Sequence, residues 1–487
     1  AVGKGYIDND FFCFIAKFFL LYQILYAHPS FLVVNANLTK VYRCIDTFCQ
    51  RLQLSKCNML KTKDNCVCLS NAMSRILSLL IFFIIFFALD VYVFQGYKLV
   101  VKKWIPNLSL VFHVIYWAIP VILIGLLIGT MVFSENPTKS KLFMWSASIL
   151  FGIFIAKFVW LIFIILDDVL RLIKYSGNKI IAGGTPVKSI SRSEFIITTG
   201  AFLAGSLFSG LVYGIASGAH NYQVHRKMLK LKNLPTAFKG FKIVQISDVH
   251  SGSFWSKEGV KRGIQMILDL KPDAIFFTGD LVNSTSAEFD SFKEMFSQLQ
   301  AQYGVYSVLG NHDYGDYYRW PDANGITKEQ NLQKLLDHHK SMGWNLLMNE
   351  GKIIEKEGQK LAILGVENWS AHPRFPKYGD LSKAYSQVEN IENKLLLSHD
   401  PSHWRAEVLK DYPSIDAMFA GHTHGMQFGI DTKFYKWSPV KYQYPEWADL
   451  YEENGQYLYV NRGFGYLGYP GRLGFLPEIT LFELEVG

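Results

Sequence analysis

Four long apolar runs dominate the first part of the chain. Ile76–Phe94 carries one charge, Asp90, and Leu108–Phe133 carries none. Leu142–Leu166 holds Lys157 inside an otherwise apolar run, and Phe195–Ala216 is rich in the small residues that let helices approach closely. Each is long enough to cross a hydrocarbon core of about 30 Å as a helix, so the pattern predicts four membrane spans. Core helices of a soluble protein would show a polar stripe at this length, and these runs have none. After Leu234-Pro235 the pattern changes to short β-branched runs alternating with amphipathic stretches. Strands are predicted at Phe241–Ile246, Ala274–Phe277, Val305–Leu309, Lys394–Leu397 and Ala417–Ala420, with helices at Lys257–Leu270 and Ala287–Leu299. The second part therefore reads as an α/β domain of about 250 residues.

Composition sharpens this division. Of 487 residues, 50% are hydrophobic and 18% charged, which excludes a disordered or purely solvated chain. The six cysteines (Cys13, Cys44, Cys49, Cys57, Cys66 and Cys68) all precede Met73, and none forms a CxxC pair, so neither a zinc site nor a disulfide framework follows from them. Position 1 is not Met and Met73 stands just before the first span, so residues 1–72 read as an atypical extension, either read-through of upstream sequence or a poorly structured segment. A further span between Phe11 and Val34 is the alternative. The division expected is then 1–72 extension, 73–220 transmembrane region, 221–240 basic linker and 241–487 soluble domain. Segment His225–Lys232 (HRKMLKLK) reads as a basic amphipathic linker on a membrane surface, and its small charge beside a bilayer argues against a nucleic-acid partner. Basic residues are balanced between the two sides of the spans. Ser191-Arg192-Ser193-Glu194-Phe195-Ile196 resembles a twin-arginine export signal with its second arginine replaced. With the lack of cysteine beyond Cys68, this places the C-terminal domain outside the cytoplasm of a multi-pass membrane protein.

The chemistry is concentrated at strand ends. The predicted strands run into Ser247-Asp248-Val249-His250, Thr278-Gly279-Asp280, Gly310-Asn311-His312-Asp313, Ser398-His399-Asp400-Pro401 and Gly421-His422-Thr423-His424. Open α/β sheets place ligands at such ends. Clustered carboxylates, imidazoles and an amide suit two adjacent divalent transition metals, because Asp can bridge two ions while His and Asn complete each shell. Any one of these motifs alone reads as a turn or a helix cap, but independent turns would not accumulate histidines at successive strand ends. His338-His339 lies on a polar helical stretch and reads as solvated surface. The aromatic segments Tyr314–Trp320 and Phe434–Trp447 read as loop packing, with a substrate rim as the alternative. His372, Arg374 and Arg472 are weaker candidates, the last for a phosphate contact.

In order and approximate spacing these motifs resemble the calcineurin-like metallophosphoesterase family, in its membrane-anchored bacterial branch. The likeness covers roughly residues 240–487, including the closing segment from Tyr459 through Arg472 to Ile479. It implies a four-layer α/β/β/α sandwich preceded by a transmembrane helical region. It further implies that Asp248, His250 and His424 hold one divalent ion, that Asn311, His399 and His422 hold a second, and that Asp280 bridges them. Mn, Fe and Zn all suit these ligands. His312 is then the general acid or transition-state stabiliser, oriented by Asp313, and a metal-bridging hydroxide is the nucleophile. The expected activity is hydrolysis of a phosphodiester or phosphomonoester, lipid-linked or near the envelope because of the membrane tether. A non-catalytic scaffold on the same fold is the alternative, and the full ligand set argues against it.

Overall fold

Residues 87–104 are helical and lead through a 3₁₀ turn at Pro106–Leu108 into the helix Ser109–Phe133. The computed structural model describes residues 87–133, 140–181, 193–318, 320, 325–432 and 434–487. The six cysteines, the 1–72 extension and most of the first expected span lie outside these. The described chain divides into two units between Ser209 and Gly210. Among the described residues three helices are long and apolar enough to cross a membrane, over Pro106–Phe133, Leu142–Gly177 and Glu194–His220, the last running on into the second unit. The helix Lys141–Ile181 has 41 residues, which at 1.5 Å each is roughly 60 Å, about twice what a hydrocarbon core requires. The charge that interrupts this run is paired. Lys157 Nζ lies 2.7 Å from Asp90 Oδ1, Tyr116 donates to the same residue, and the ammonium sits 4.0 Å from the Tyr116 ring centroid. Charges within an apolar bundle persist when they satisfy one another in this way.

The second unit carries two six-stranded sheets. The strands are β1 (Gln223–Leu231), β2 (Lys242–Ile246), β3 (Ala274–Phe277), β4 (Val305–Ser307), β5 (Asn345–Leu346), β6 (Glu350–Lys356), β7 (Gln359–Gly365), β8 (Lys394–Leu397) and β9 (Ala417–Ala420). A small ribbon, β10 (Ile430–Asp431) and β11 (Lys436–Trp437), precedes β12 (Asp449–Glu453), β13 (Gln456–Val460) and β14 (Glu478–Val486). One sheet has the order β1-β14-β2-β3-β4-β5 and the other β12-β13-β9-β8-β7-β6. Strands β2 to β5 run parallel, as do β7, β8 and β9, so each group delivers its C-terminal ends to one side. Period-two alternation then sorts the side chains. Ile243, Phe276, Leu395, Leu397 and Phe419 meet in the core between the sheets. Val244, Ile275 and Phe277 turn the other way, against the helix Lys257–Asp269 and Leu335 of the helix Lys328–Ser341. Leu396 and Met418 pack outward on Leu381, Ala384 and Trp404. The result is the expected four-layer α/β/β/α sandwich.

Three local expectations are corrected. The stretch read as a membrane-surface linker, His225–Lys232, lies in β1 except for Lys232, and β1 pairs in parallel with β14 from Gln223↔Glu478 to Leu231↔Val486. Its Met-Leu-Lys-Leu sequence alternates with period two, so Leu229 and Leu231 are buried while Met228 and Lys230 are exposed. The helix expected over Ala287–Leu299 is broken into a 3₁₀ turn, Ser286–Glu288, and a short helix, Lys293–Phe296. The Glu288 carboxylate reaches back to the N–H groups of Asn283 at 2.6 Å and Thr285 at 3.1 Å, which turns the chain before a longer helix can form. His339 is not solvated. It is fully buried, with Nδ1 3.0 Å from Ser307 Oγ, while the neighbouring His338 lies 3.2 Å from Asp290 Oδ1.

Candidate metal centre

Five of the side chains singled out from the sequence sit on backbone that L-residues rarely adopt. Asp248, His250, Asp280, His422 and His424 have φ of 52°, 46°, 60°, 70° and 52°. Such left-handed positions cluster where a site needs side chains aimed together at the expense of local strain. Two glycines make the close approach possible. A Cβ on Gly310 would meet Asp280 Oδ1 at 2.2 Å, and one on Gly421 would meet Ser247 Oγ at 2.0 Å and Asp248 Oδ2 at 2.2 Å. The Gly of each motif is thus a clearance between strand ends, of neighbouring strands in one sheet for Gly310 and of opposite sheets for Gly421.

Two groups of donors result. Asp248, His250 and His424 offer ligand atoms within 4.8 Å of one another, and so do Asp280, His399 and His422. Asp280 stands between them, with Oδ2 3.5 Å from His250 Nε2 and 3.1 Å from His399 Nε2. Asn311 adjoins the second group, its Oδ1 2.8 Å from His422 Nδ1. The donor chemistry fits divalent ions. Both ring nitrogens of His250 and Nε2 of His424 are buried without a hydrogen-bond partner, a costly state that a bound cation would relieve. Charge states agree except at His399, where burial lowers the imidazole but the Asp280 carboxylate, with Asp248 behind it, pushes it up to about 10. Burial pushes the carboxyls of Asp248 and Asp280 up, but neighbouring histidines, His424 for the first and His399 for the second, hold both well below the usual carboxylate range. Burial lowers the His250 and His422 imidazoles. Ionised carboxylates and neutral imidazoles are the forms that bind metals.

Supporting contacts fix the rings. His399 Nδ1 lies 2.7 Å from the Thr278 carbonyl, which accepts its proton and leaves Nε2 for the site. His422 Nε2 is 2.9 Å from the Tyr444 hydroxyl, itself 3.3 Å from Asp400 Oδ2, so Nδ1 is the atom turned toward Asn311 and His399. His312 is half-buried, and its Nδ1 is 2.7 Å from the Asn283 carbonyl. The expectation that Asp313 orients His312 is therefore corrected. The Asp313 carboxylate is fully buried and accepts the N–H groups of Asp280 (2.9 Å), Leu281 (2.8 Å), Val282 (3.2 Å) and Gly310 (2.9 Å). Arg472 is corrected too. Its guanidinium is buried, donating to the Gly465 carbonyl at 2.9 Å and lying 3.2 Å from His424 Nδ1, which makes it a prop behind a candidate ligand with no exposure to a phosphate.

Asp400 and Tyr444 were missed by sequence reasoning. Asp400 follows His399 directly, so its motif was visible and only its role was not. Tyr444 lies in the aromatic segment assigned to loop packing, and no spacing signal marks it. Phe375 stands edge-on to His422 with centroids 4.7 Å apart, and His372 is 4.8 Å from Tyr444, so the segment before His399 does border the second group.

Two family models match the chain. A family model described as "Calcineurin-like phosphoesterase" matches residues 241–426, and one described as "Probable Calcineurin-like phosphoesterase, transmembrane domain" matches residues 74–219. The uncharacterized metallophosphoesterase YkuE of Bacillus subtilis is 31% identical over 309 residues, covering 61% of this chain and 99% of that protein. The chain belongs to the calcineurin-like metallophosphoesterase family. Two further relatives are named for an activity. Phosphodiesterase YaeI of Escherichia coli is 27% identical over 61% of this chain and 99% of its own length. UDP-2,3-diacylglucosamine pyrophosphatase LpxG of Chlamydia trachomatis is 28% identical over 52% of this chain and 86% of its own. With its transmembrane domain and apolar helices, this metallophosphoesterase is a membrane protein.

Proposed function

We propose that the protein is a membrane-anchored hydrolase of phosphoester bonds, acting on a phosphodiester or phosphomonoester carried by a lipid or held near the membrane. The observation that carries this reading is the placement of Asp280 within 3.5 Å of His250 and 3.1 Å of His399, which joins two donor groups into one centre. Asp248, His250 and His424 would hold one divalent ion, Asn311, His399 and His422 the other, and Asp280 both. When bound, Mn, Fe or Zn ions supply Lewis acidity and a water acidified toward neutral pKa. The chain's own residues do the rest. The Asn283 carbonyl accepts the Nδ1 proton of His312, so Nε2 is the atom turned to the site, taking up a proton in the neutral ring and giving one to a leaving oxygen from the imidazolium. Asp313 pins the two loops that carry Asp280 and Asn311 at a fixed separation. Relatives named for a phosphodiesterase and a lipid-precursor pyrophosphatase support a substrate of the same chemical class here.

The test is hydrolysis of bis-p-nitrophenyl phosphate and p-nitrophenyl phosphate by the full chain, stripped of metal and reloaded with Mn, Zn or Fe. Metal-dependent turnover lost in Asp280→Asn supports the reading, and turnover unchanged in that variant refutes it. We further propose that the chain crosses the membrane several times and carries residues 223–487 outside the cytoplasm. A Glu389→Cys variant, whose position is exposed, should react with a membrane-impermeant maleimide on intact cells above the unsubstituted background. Labelling only after lysis would reverse the orientation.

A further inference from the structure

Away from the metal-ligating groups, the second unit has a cleft of ≈ 620 Å³. It lies where the candidate span Glu194–His220 ends, and its walls come from residues 216–222 and from the start and outer face of the helix Lys257–Asp269. By chain connectivity this is the level at which a membrane helix gives way to water. None of the ten lining residues is acidic. The cleft is instead supplied with donors. Arg262 is exposed at its edge and makes no ion pair among the described residues. His220 and the Tyr222 hydroxyl are more than nine-tenths buried, and neither His220 nitrogen nor the Tyr222 oxygen has a hydrogen-bond partner. The Ser256 hydroxyl already accepts the Gly259 N–H at 3.1 Å, so its own proton is what remains to offer.

The cleft is also built to keep those groups where they are. A Cβ on Gly259 would meet His220 Cδ2 at 2.1 Å, and one on Gly263 would meet the Tyr222 ring at 2.8 Å, so the helix must present glycine at both positions for the two rings to enter. The His220 ring stacks on Trp255 with centroids 4.9 Å apart. Buried donors without acceptors are costly, and a structure that holds them rigidly around an open volume is complementary to an acceptor it does not itself supply. An unpaired guanidinium beside neutral donors selects a phosphate. Trp and Tyr at the cleft suit the amphipathic boundary of a bilayer.

We propose that this cleft binds the headgroup of an anionic phospholipid, with Arg262 and His220 on the phosphate, as a site separate from the hydrolytic centre. The site fixes the soluble unit against the membrane surface and is occupied whether or not the metal centre is loaded.

The experiment is native mass spectrometry of the full chain in detergent, titrated with phosphatidylglycerol, phosphatidylcholine or sn-glycerol 1-phosphate. Phosphatidylglycerol should bind in preference to phosphatidylcholine, and Arg262→Gln should weaken its binding about tenfold or more. Lys261→Gln, which removes an exposed charge on the same helix outside the cleft, should bind as the wild type does. Arg262 is exposed, so its variant should fold, and an unchanged melting temperature verifies this. Equal binding by wild type and Arg262→Gln overturns the proposal, and so does an equal loss in Lys261→Gln. Displacement of the lipid by an equal concentration of sn-glycerol 1-phosphate would assign the cleft to a soluble phosphate ester and overturn the lipid reading. Because the readout is lipid retention, its failure leaves the hydrolase reading untouched.

Discussion

The carboxylate of Asp313 accepts the backbone N–H of Asp280 at 2.9 Å, although the two aspartates belong to different strand ends and only Asp280 belongs to a candidate metal-binding group. Asp313→Asn would put an NH₂ group where two backbone N–H groups now donate, leaving buried donors opposed. Expected outcomes are a loss of about 1–3 kcal/mol of stability and reduced metal retention. Thermal denaturation and metal analysis of the purified variant check both, and full metal content would remove the positioning role.

His312→Ala should behave differently. The side chain lies outside both donor groups and is half-buried, so metal content should stay at the wild-type level while kcat falls by roughly hundred- to ten-thousand-fold. Steady-state kinetics beside metal analysis separates this from the Asp313 effect. A variant that loses metal and activity together would make His312 structural.

Tyr444→Phe removes the hydroxyl 2.9 Å from His422 Nε2 and frees that ring to rotate or change tautomer. Metal affinity of the Asn311, His399 and His422 group should drop by about ten- to a hundredfold, with the other group retained. A two-step metal titration would show it, and two unchanged binding constants would count against the assignment.

The buried His339 sets an acid limit on stability. Burial pushes its imidazole down to about 3, with His338 adding to the effect, so the unfolded chain takes up a proton near the ordinary His value of 6.5 while the folded chain does not. Its contribution is present above 6.5 and is lost progressively as pH falls from about 6.5 toward 3. At about 1.4 kcal/mol per pH unit, a few kcal/mol disappear by pH 4. His339→Leu should flatten this limb of a stability-against-pH curve measured by urea denaturation, and an unaltered slope would contradict the cause.

Strand β1 gives a prediction about boundaries. A fragment beginning at Leu234 removes all nine of its residues and bares β14 as a long edge, so it should aggregate where a fragment beginning at Gly210 remains monomeric. In the longer fragment Leu229→Ala, at a fully buried position, should cost about 2–5 kcal/mol. Light scattering and denaturation test the pair.

These cases show what could be read from residues alone. Ala274–Phe277, Lys394–Leu397 and Ala417–Ala420 were legible to the residue because buried parallel strands are continuous apolar runs closed by a motif of a different kind. The candidate ligands were legible for the same reason, since each follows such a run. Edge strand β1 was not, because its exposed lysines made a two-residue alternation look like a basic linker. Tyr444 and Asn283 act through contacts made only when separate loops meet, and neither leaves a mark in local spacing. Asp313 was found but given the wrong neighbour, because adjacency in sequence to His312 suggested a contact that the turn sends elsewhere.

The place of β14 between β1 and β2 also dictates an order of events during biosynthesis. Strand β1 leaves the ribosome some 250 residues before β14, its only sheet partner among the described residues, so for most of the synthesis of the domain it must wait without that partner. The helices can enter a membrane while this happens, but the sheet closes only when residues 478–486 arrive, bringing Glu478 to the Arg462 guanidinium in the same step. Completion of the first sheet thereby follows synthesis of all the other described strands. A chain truncated just short of β14 would be inserted and anchored yet unable to complete its first sheet.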